Sequence, residues 1–255
     1  MTAPRSILIT GATGAIGGAL AREYAAPGVT LLLHGRNAGQ LEQIAADCRV
    51  RGASVIACSV DLGDVMQARE WALDMASRHA VDLLVANAGM NIDIGPDGAG
   101  ERWEDSEALF ALNLRSVVAL VDAFVPAMRR RSHGQIVLIS SLAGYFGLPV
   151  TPSYSASKAA VKAYGEALRG WLGPEGLRVN VVMPGYVESP MCNAMPGPKP
   201  FLWTPGRAAR TIRRGLERDR ARITFPFPLN LGTWFLAALP AGLSVRLVRL
   251  FGYHG

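Results

Sequence analysis

The sequence predicts an α/β protein built on a doubly wound parallel sheet. Short apolar runs rich in β-branched residues alternate with longer amphipathic stretches along a chain of 255 residues. The runs are apolar at consecutive positions, as in parallel strands whose two faces are both covered by helices. The length suits one domain with a sizeable core, which we assign to residues 1–226, followed by an apolar extension, residues 227–255.

Seven strands and six helices are predicted along the chain. The strands are predicted at residues 7–10, 29–33, 54–59, 82–86, 135–140, 178–183 and 222–225. The helices are predicted at residues 15–26, 38–51, 64–79, 103–131, 153–172 and 205–218, with a break in the fourth near Asn113. Sheets of this kind bind ligands beyond the carboxyl ends of their strands. Two segments rich in Gly and Pro, 91–101 and 193–205, are predicted as loops over that edge, the second as a substrate lid.

Turns at the ends of three strands predict a nucleotide pocket. The first strand leads into a glycine-rich turn, where the backbone can approach a pyrophosphate at the N-terminus of the next helix. Such a turn also occurs without a ligand, and the other two turns are ordinary when taken singly. The residues predicted to bind are Gly11, Thr13, Gly14, Ala15, Ile16 and Gly17 after the first strand, Asp61 and Leu62 after the third, and Asn87, Ala88 and Gly89 after the fourth.

Ser141, Tyr154 and Lys158 form a set of proton-transfer groups after the fifth strand. Tyr154 and Lys158 are four residues apart, so on a helix they share one face, where the ammonium favours the phenolate. A free tyrosine titrates near ~10, too high to exchange protons readily at neutral pH. Ser141, at a strand end, can hold a substrate oxygen against the phenol. The cluster predicts an enzyme that acts on a carbonyl or an alcohol.

Taken in order, these motifs resemble those of the short-chain dehydrogenase/reductase family over roughly residues 5–225. The resemblance implies a single Rossmann-type domain with seven strands in the order 3-2-1-4-5-6-7 and a nicotinamide dinucleotide cofactor. It implies that Tyr154 is the general acid/base, that Ser141 orients the substrate oxygen, and that Lys158 holds the nicotinamide ribose and lowers the pKa of the tyrosine. By the same resemblance Asn113 positions a water in a proton relay. The stretch that would line the nicotinamide includes Pro184, Gly185, Val187 and Ser189.

The glycine turn departs from the family pattern. Single-domain members usually read Thr-Gly-x-x-x-Gly-x-Gly, whereas here Ala15 replaces the middle glycine and Gly14 precedes it. That spacing is typical of a longer branch with an added substrate domain, for which 255 residues leave no room. We keep the single-domain assignment and expect the Ala15 methyl group to be tolerated if its φ is negative.

The end of the second strand favours NADP(H) over NAD(H). Members that bind NAD place a carboxylate there, which bonds the ribose hydroxyls and would repel a 2′-phosphate. This chain reads His34-Gly35-Arg36-Asn37, with glycine at that position and a guanidinium beside it that can pair with the phosphate. The alternative is that Arg36 is a solvated loop residue and NAD is used.

Charge and cysteine usage exclude several classes of function. The net charge of +6 is concentrated in residues 207–222 and 129–131, without the aromatic interleaving of a nucleic-acid surface, so we expect no nucleic-acid partner. Three cysteines and four histidines lack the spacing of a disulfide framework or a metal site, and we predict no metal. This usage and an N-terminus without signal-peptide features lead us to expect a cytoplasmic protein.

The extension, residues 227–255, begins within a long uncharged stretch. Residues 223–245 contain no charge, which is long enough to consider a membrane span, but Pro226, Pro228, Gly232 and Pro240 divide them into pieces of about ten residues. We expect a helical hairpin that covers the substrate cleft, a subunit contact or the membrane interface. An apolar lid would favour a lipophilic substrate.

The leading hypothesis is an NADP(H)-dependent oxidoreductase. One alternative is a nucleotide-sensing binding protein without catalysis, which would not need the Ser141, Tyr154, Lys158 and Asn113 set. Another is a reductase of lipid-like ketones at a membrane surface. The family resemblance implies a homodimer or homotetramer built on the helices that begin near Asn113 and Ser153.

Overall fold

Seven parallel strands form one sheet in the computed structural model, which describes residues 3–95, 97–195 and 197–250. Their order, β3-β2-β1-β4-β5-β6-β7, confirms the predicted topology. The strands are β1 (Ser6–Ile9), β2 (Thr30–His34), β3 (Ser54–Cys58), β4 (Leu83–Ala86), β5 (Gln135–Ile139), β6 (Arg178–Pro184) and β7 (Arg222–Phe225).

Helices connect the strands and continue the chain beyond the sheet. They are α1 (Ala15–Tyr24), α2 (Ala38–Val50), α3 (Val65–Arg78), α4 (Trp103–Phe110), α5 (Ser116–Arg131), α6 (Pro152–Leu172), α7 (Pro190–Ala194), α8 (Pro205–Glu217), α9 (Leu229–Ala238) and α10 (Ala241–Leu250). A π-helical turn, Ala111–Arg115, joins α4 to α5 where the break near Asn113 was predicted. The short helix α7 was not predicted.

The strands are apolar at consecutive positions because both faces of the sheet are covered. Successive side chains of a strand point to opposite faces. Ile7 and Ile9 therefore pack in one core with α1, α2 and α8, whereas Leu8 packs in the other with α3, α5 and α6. The carboxyl ends of all seven strands meet at one edge, where the predicted site residues follow the strands.

The segment Trp103–Arg131, which comprises α4, the π-helical turn and α5, is long and apolar enough to cross a membrane by length and composition. Its apolar window is 67% buried in the protein. Val121 and Phe124 from this segment lie in the core beneath the sheet. Packing against the sheet therefore accounts for the hydropathy of this segment.

The chain continues after β7 into α9 and α10. The Ser244 hydroxyl donates to the carbonyl oxygen of Leu236 at 2.7 Å, which closes the two helices into a hairpin, as the proline and glycine positions predicted. Val248 of α10 packs in an apolar cluster with Val150. Residues 251–255 of the predicted extension lie outside the described residues, and its division from the catalytic domain stays a prediction.

Gly165 lies where α6 packs closely on the sheet and generates a test of the packing. A Cβ atom there would lie 2.5 Å from Val181 Cγ2, whereas nothing lies within 4 Å of one at Gly170 on the same helix. We expect Gly165→Ala to lower the free energy of unfolding by about 1–3 kcal/mol through overpacking. Gly170→Ala should raise it by about 0.5–1 kcal/mol. Urea unfolding measures both, and equal effects would contradict this packing.

Candidate active site

The glycine turn after β1 is shaped by two close backbone approaches. Gly11 has φ +64°, and a Cβ atom there would lie 2.8 Å from the Cα of Ala88. A Cβ at Gly17 would lie 2.3 Å from the carbonyl oxygen of Gly11. Ala15 is the first residue of α1, so its methyl group is accommodated in helical backbone, as we expected.

Asn87 and Thr10 tie the turn to the end of β4. The Asn87 amide nitrogen donates to the carbonyl oxygens of Thr10 at 3.0 Å and Gly11 at 3.1 Å. In return the Thr10 hydroxyl accepts from the backbone N–H groups of Asn87 and Ala88 at 3.0 and 3.1 Å. The two strand ends therefore form one rigid unit.

His34 holds the same turn from the other side, a role that the sequence did not reveal. Its Nδ1 accepts from the Gly11 N–H at 3.4 Å, and its Nε2 lies 2.9 Å from the carbonyl oxygen of Val60, to which it can only donate. These partners require a neutral imidazole. Burial lowers the pKa of His34, which favours that neutral form. The signal was its position at the end of β2, opposite the glycine turn.

Tyr154 and Lys158 lie in the first part of α6, beside the end of β5. The Lys158 ammonium donates to the carbonyl oxygen of Ile139 at 3.0 Å and lies 5.6 Å from the centre of the Tyr154 ring. The Ser140 hydroxyl donates to the carbonyl oxygen of Lys158 at 2.6 Å, which fixes α6 against β5. Ser141 follows directly, and its hydroxyl interacts with the Tyr154 phenol.

The protein groups do not acidify Tyr154, contrary to our expectation. Burial in the cleft raises the pKa of Tyr154, and the hydrogen bond with Ser141 opposes that rise only in part. The Lys158 ammonium donates to the carbonyl oxygen of Ile139 rather than to the phenol oxygen. Burial also lowers the pKa of Lys158 to about 8, so its charge is itself poorly solvated.

Asn113 lies in the π-helical turn, behind Tyr154 and Lys158. Its side chain pairs with the backbone of Met90, accepting at 2.8 Å and donating at 2.9 Å. It also donates to the Ser157 hydroxyl at 3.1 Å, which in turn donates to the carbonyl oxygen of Tyr154 at 2.7 Å. Asn113 is thus connected to the backbone of α6 at Tyr154.

One cleft of about 1940 Å³ runs along the carboxyl edge of the sheet. It brings together most of the predicted site residues. Those that line it are Gly11, Thr13, Gly14, Ala15, Ile16, Arg36, Leu62, Asn87, Ala88, Gly89, Ser141, Tyr154, Lys158, Pro184, Gly185, Val187 and Ser189. Three predicted residues do not line it: Gly17, Asp61 and Asn113.

These three residues act beside the cleft or away from it. Gly17 lies beneath the turn and Asn113 behind α6. Asp61 is exposed, and its carboxylate accepts from the N–H of Gly63 at 2.9 Å, within its own turn. The predicted contact of Asp61 with the nucleotide stays a prediction, whereas its neighbour Leu62 lines the cleft.

The substrate end of the cleft has apolar walls that the sequence did not single out. Leu229 of α9 packs beside Leu142 and Met183 and lines the cleft. Further lining residues are Phe146, Leu148, Tyr186, Met195, Leu236 and Val248. Hydropathy alone could not assign them, because the same residue types fill the two cores.

The comparisons with known proteins agree with this arrangement. The family model described as short chain dehydrogenase matches residues 5–197. The chain belongs to the short-chain dehydrogenase family. It is accordingly an NAD(P)-dependent oxidoreductase.

Both known sequences and solved structures include proteins similar to this chain. An uncharacterized oxidoreductase of Myxococcus xanthus is 34% identical over 249 residues, 96% of each chain. The dehydrogenase/reductase SDR family member 7B of Bos taurus is 30% identical over 267 residues, 95% of this chain and 79% of that one. A short-chain dehydrogenase from Sphingobium yanoikuyae in complex with NADPH superposes with a TM-score of 0.82 at 25% identity, over 94% of this chain and 95% of that one.

The residues of the cleft fit a nicotinamide dinucleotide. Gly14 caps α1 without a side-chain hydrogen bond, and the first turn of α1 carries no acidic residue, so its N–H groups suit a pyrophosphate. The close approaches at Gly11 and Gly17 keep the cradle free of side chains. Tyr154 and Lys158 line the same cleft.

The lowered pKa of Lys158 predicts a dependence of stability on pH. Lysine in an unfolded chain titrates near 10.5, so between pH 8 and 10.5 the unfolded state binds more protons than the folded state. Stability attributable to Lys158 therefore rises with pH over this window. The difference in free energy of unfolding between the wild type and Lys158→Met should therefore change by about 3 kcal/mol in favour of the wild type from pH 8 to pH 10.5. Urea unfolding across this range tests it, with Lys162→Met as the control for losing a lysine from α6. A difference that does not vary with pH would contradict the burial of this charge.

Proposed function

We propose that the protein interconverts a carbonyl and an alcohol on a lipophilic substrate, with NADP(H) as cofactor and Tyr154 as general acid/base. The observation that supports this most is the convergence of Ser141, Tyr154 and Lys158 on the cleft that begins at the glycine turn. A nucleotide-sensing protein without catalysis has no use for these groups.

The substrate oxygen binds between two hydroxyl groups. Ser141 donates a hydrogen bond to this oxygen. The Ser141 hydroxyl is held in position because it accepts a hydrogen bond from the Ala143 N–H at 3.2 Å. Tyr154 gives its proton to that oxygen in reduction and takes it back in oxidation. When bound, the nicotinamide supplies or accepts the hydride.

Tyr154 needs a lower pKa than the protein groups alone provide. In our proposal Lys158 leaves the Ile139 carbonyl for the nicotinamide ribose, and its charge then favours the phenolate. Asn113 supports this by holding the backbone around Met90 and α6. The proton relay through a water beside Asn113 belongs to the same proposal.

Two features of the turn after β2 support the preference for NADP(H). A Cβ atom at Gly35 would lie 2.6 Å from the Thr13 Cγ2, so an acidic side chain does not fit there without moving Thr13. Arg36 is exposed, lines the cleft, and among residues 3–95, 97–195 and 197–250 forms no ion pair. A 2′-phosphate would give it one.

The subunit arrangement and location are part of the proposal. Exposed apolar residues on the outer helices, Trp103, Val118 and Trp171, support a homodimer or homotetramer built on α4, α5 and α6. The predicted site of action is the cytoplasm. The apolar walls contributed by α9 and α10 support a lipophilic substrate.

Replacing the phenol tests the chemistry. Tyr154→Phe should lower turnover by about 10²–10⁴-fold while leaving NADPH binding within about threefold, because only the proton donor is lost. Tyr164→Phe, on the same helix but outside the cleft, is the matched control. Nicotinamide absorbance with a panel from small ketones to steroids and long-chain acyl carbonyls measures turnover. Unchanged turnover in Tyr154→Phe would rule out this assignment.

Replacing Arg36 tests the cofactor. Arg36→Ala should raise the KM for NADPH by about tenfold to a hundredfold, the loss of one charge-assisted contact, and leave that for NADH within about twofold. Arg49→Ala removes an arginine of α2 that pairs with Glu42 and does not line the cleft, so it should change neither the KM for NADPH nor the KM for NADH. An equal effect of Arg36→Ala on both cofactors would contradict the preference.

A further inference from the structure

The hairpin presents an apolar surface to solvent. Helix α9 is composed mainly of apolar residues, yet none of its residues is buried. Trp234 and Phe235 are 50% and 54% exposed. We call this the tail surface and define it as Phe227, Leu231, Trp234, Phe235, Leu243, Val245 and Leu250. Large apolar residues exposed together in one short segment mark a contact site.

The tail surface continues into the mouth of the cleft. Leu231 and Phe235 belong to the tail surface and also line the cleft. Phe201, in the predicted lid segment, is likewise more than half exposed and lines the cleft. Residues that are both lining and exposed lie at an opening. A partner on the tail surface would therefore lie next to the entrance for the substrate.

The positive charge of the protein is concentrated in the segment that precedes and includes this surface. Residues 190–250 contain nine arginines and one lysine against two acidic residues, an excess of eight, whereas the whole chain has a net charge of +6. The two acids, Glu217 and Asp219, are paired with Arg213 at 3.0 Å and Arg169 at 2.8 Å. Within residues 223–250 the charges are Arg246 and Arg249 alone.

This combination matches an anionic bilayer better than a second copy of the chain. A twofold contact built on the tail surface would bring Arg246 and Arg249 of both copies into the same interface, where their positive charges repel. Trp and Phe side chains in a segment whose charged residues are Arg246 and Arg249 suit the boundary between headgroups and acyl chains. Helices of ten residues are too short to span a membrane and can lie in its interface.

We propose that the tail surface docks the protein on an anionic lipid bilayer, with the mouth of the cleft facing the lipid. A lipophilic substrate then enters from the bilayer without crossing water. The docking rests on the proposed function only in taking the cleft as the substrate site.

Sedimentation with vesicles tests the docking. The full chain should pellet with vesicles of phosphatidylcholine and phosphatidylglycerol at 3:1, more weakly with phosphatidylcholine alone, and less as salt rises. The double variant Trp234→Glu, Leu243→Glu, at positions outside the cleft, should lower partitioning by about tenfold or more. Val50→Glu, at an even more exposed apolar residue of α2, should not.

A second pair of variants tests the charge. Arg246→Gln with Arg249→Gln should lower partitioning on the anionic vesicles by about tenfold and leave it nearly unchanged on phosphatidylcholine. Arg130→Gln, an exposed arginine elsewhere, should leave both unchanged. Turnover of a water-soluble ketone should survive in all of these variants, which shows that they fold.

Other outcomes separate the two proposals. No pelleting of the wild type, or a dimer in light scattering that Trp234→Glu, Leu243→Glu dissociates, would overturn the docking and assign the surface to a contact between copies. Vesicle binding that depends on these residues, together with no turnover of any ketone, would support the docking and refute the proposed function.

Discussion

The contact between the start of α6 and the end of β5 is the constraint on which the catalytic arrangement depends. The Ser140 hydroxyl binds the Lys158 carbonyl, the Lys158 ammonium binds the Ile139 carbonyl, and a Cβ at Gly144 would lie 2.8 Å from the Lys158 carbonyl oxygen. The helix therefore has little freedom to slide or rotate. Tyr154, one turn earlier, is positioned by these contacts together with the hydrogen bond between its phenol and Ser141.

A second rigid unit lies across the cleft from the first. Thr10, Asn87 and His34 hold the glycine turn through backbone atoms, so the surface that meets a cofactor is mostly main chain. The Asn113 side chain links the two units, because it binds Met90 just after β4 and Ser157 in α6. The π-helical turn, a local departure from α-helical geometry, carries Asn113, whose amide binds both Met90 and Ser157.

The sequence predicted what depends on local pattern. The glycine turn and the placement of Tyr154 and Lys158 on one helix face follow from spacing, whereas the strand order follows from the family resemblance. Contacts made at long range could not be predicted this way. The ammonium of Lys158 donates to the carbonyl oxygen of Ile139, 19 residues earlier in the chain, and only the fold brings this strand end to α6. The raised pKa of Tyr154 follows from the same burial, which no spacing rule reports.

The contact between Gly35 and Thr13 has a consequence for how this protein can diverge. An acid introduced at Gly35 meets the Thr13 methyl group, and a smaller residue at position 13 by itself brings no new contact with a ribose. An exchange of nucleotide through this position therefore requires the Thr13 side chain to move or to be replaced as well.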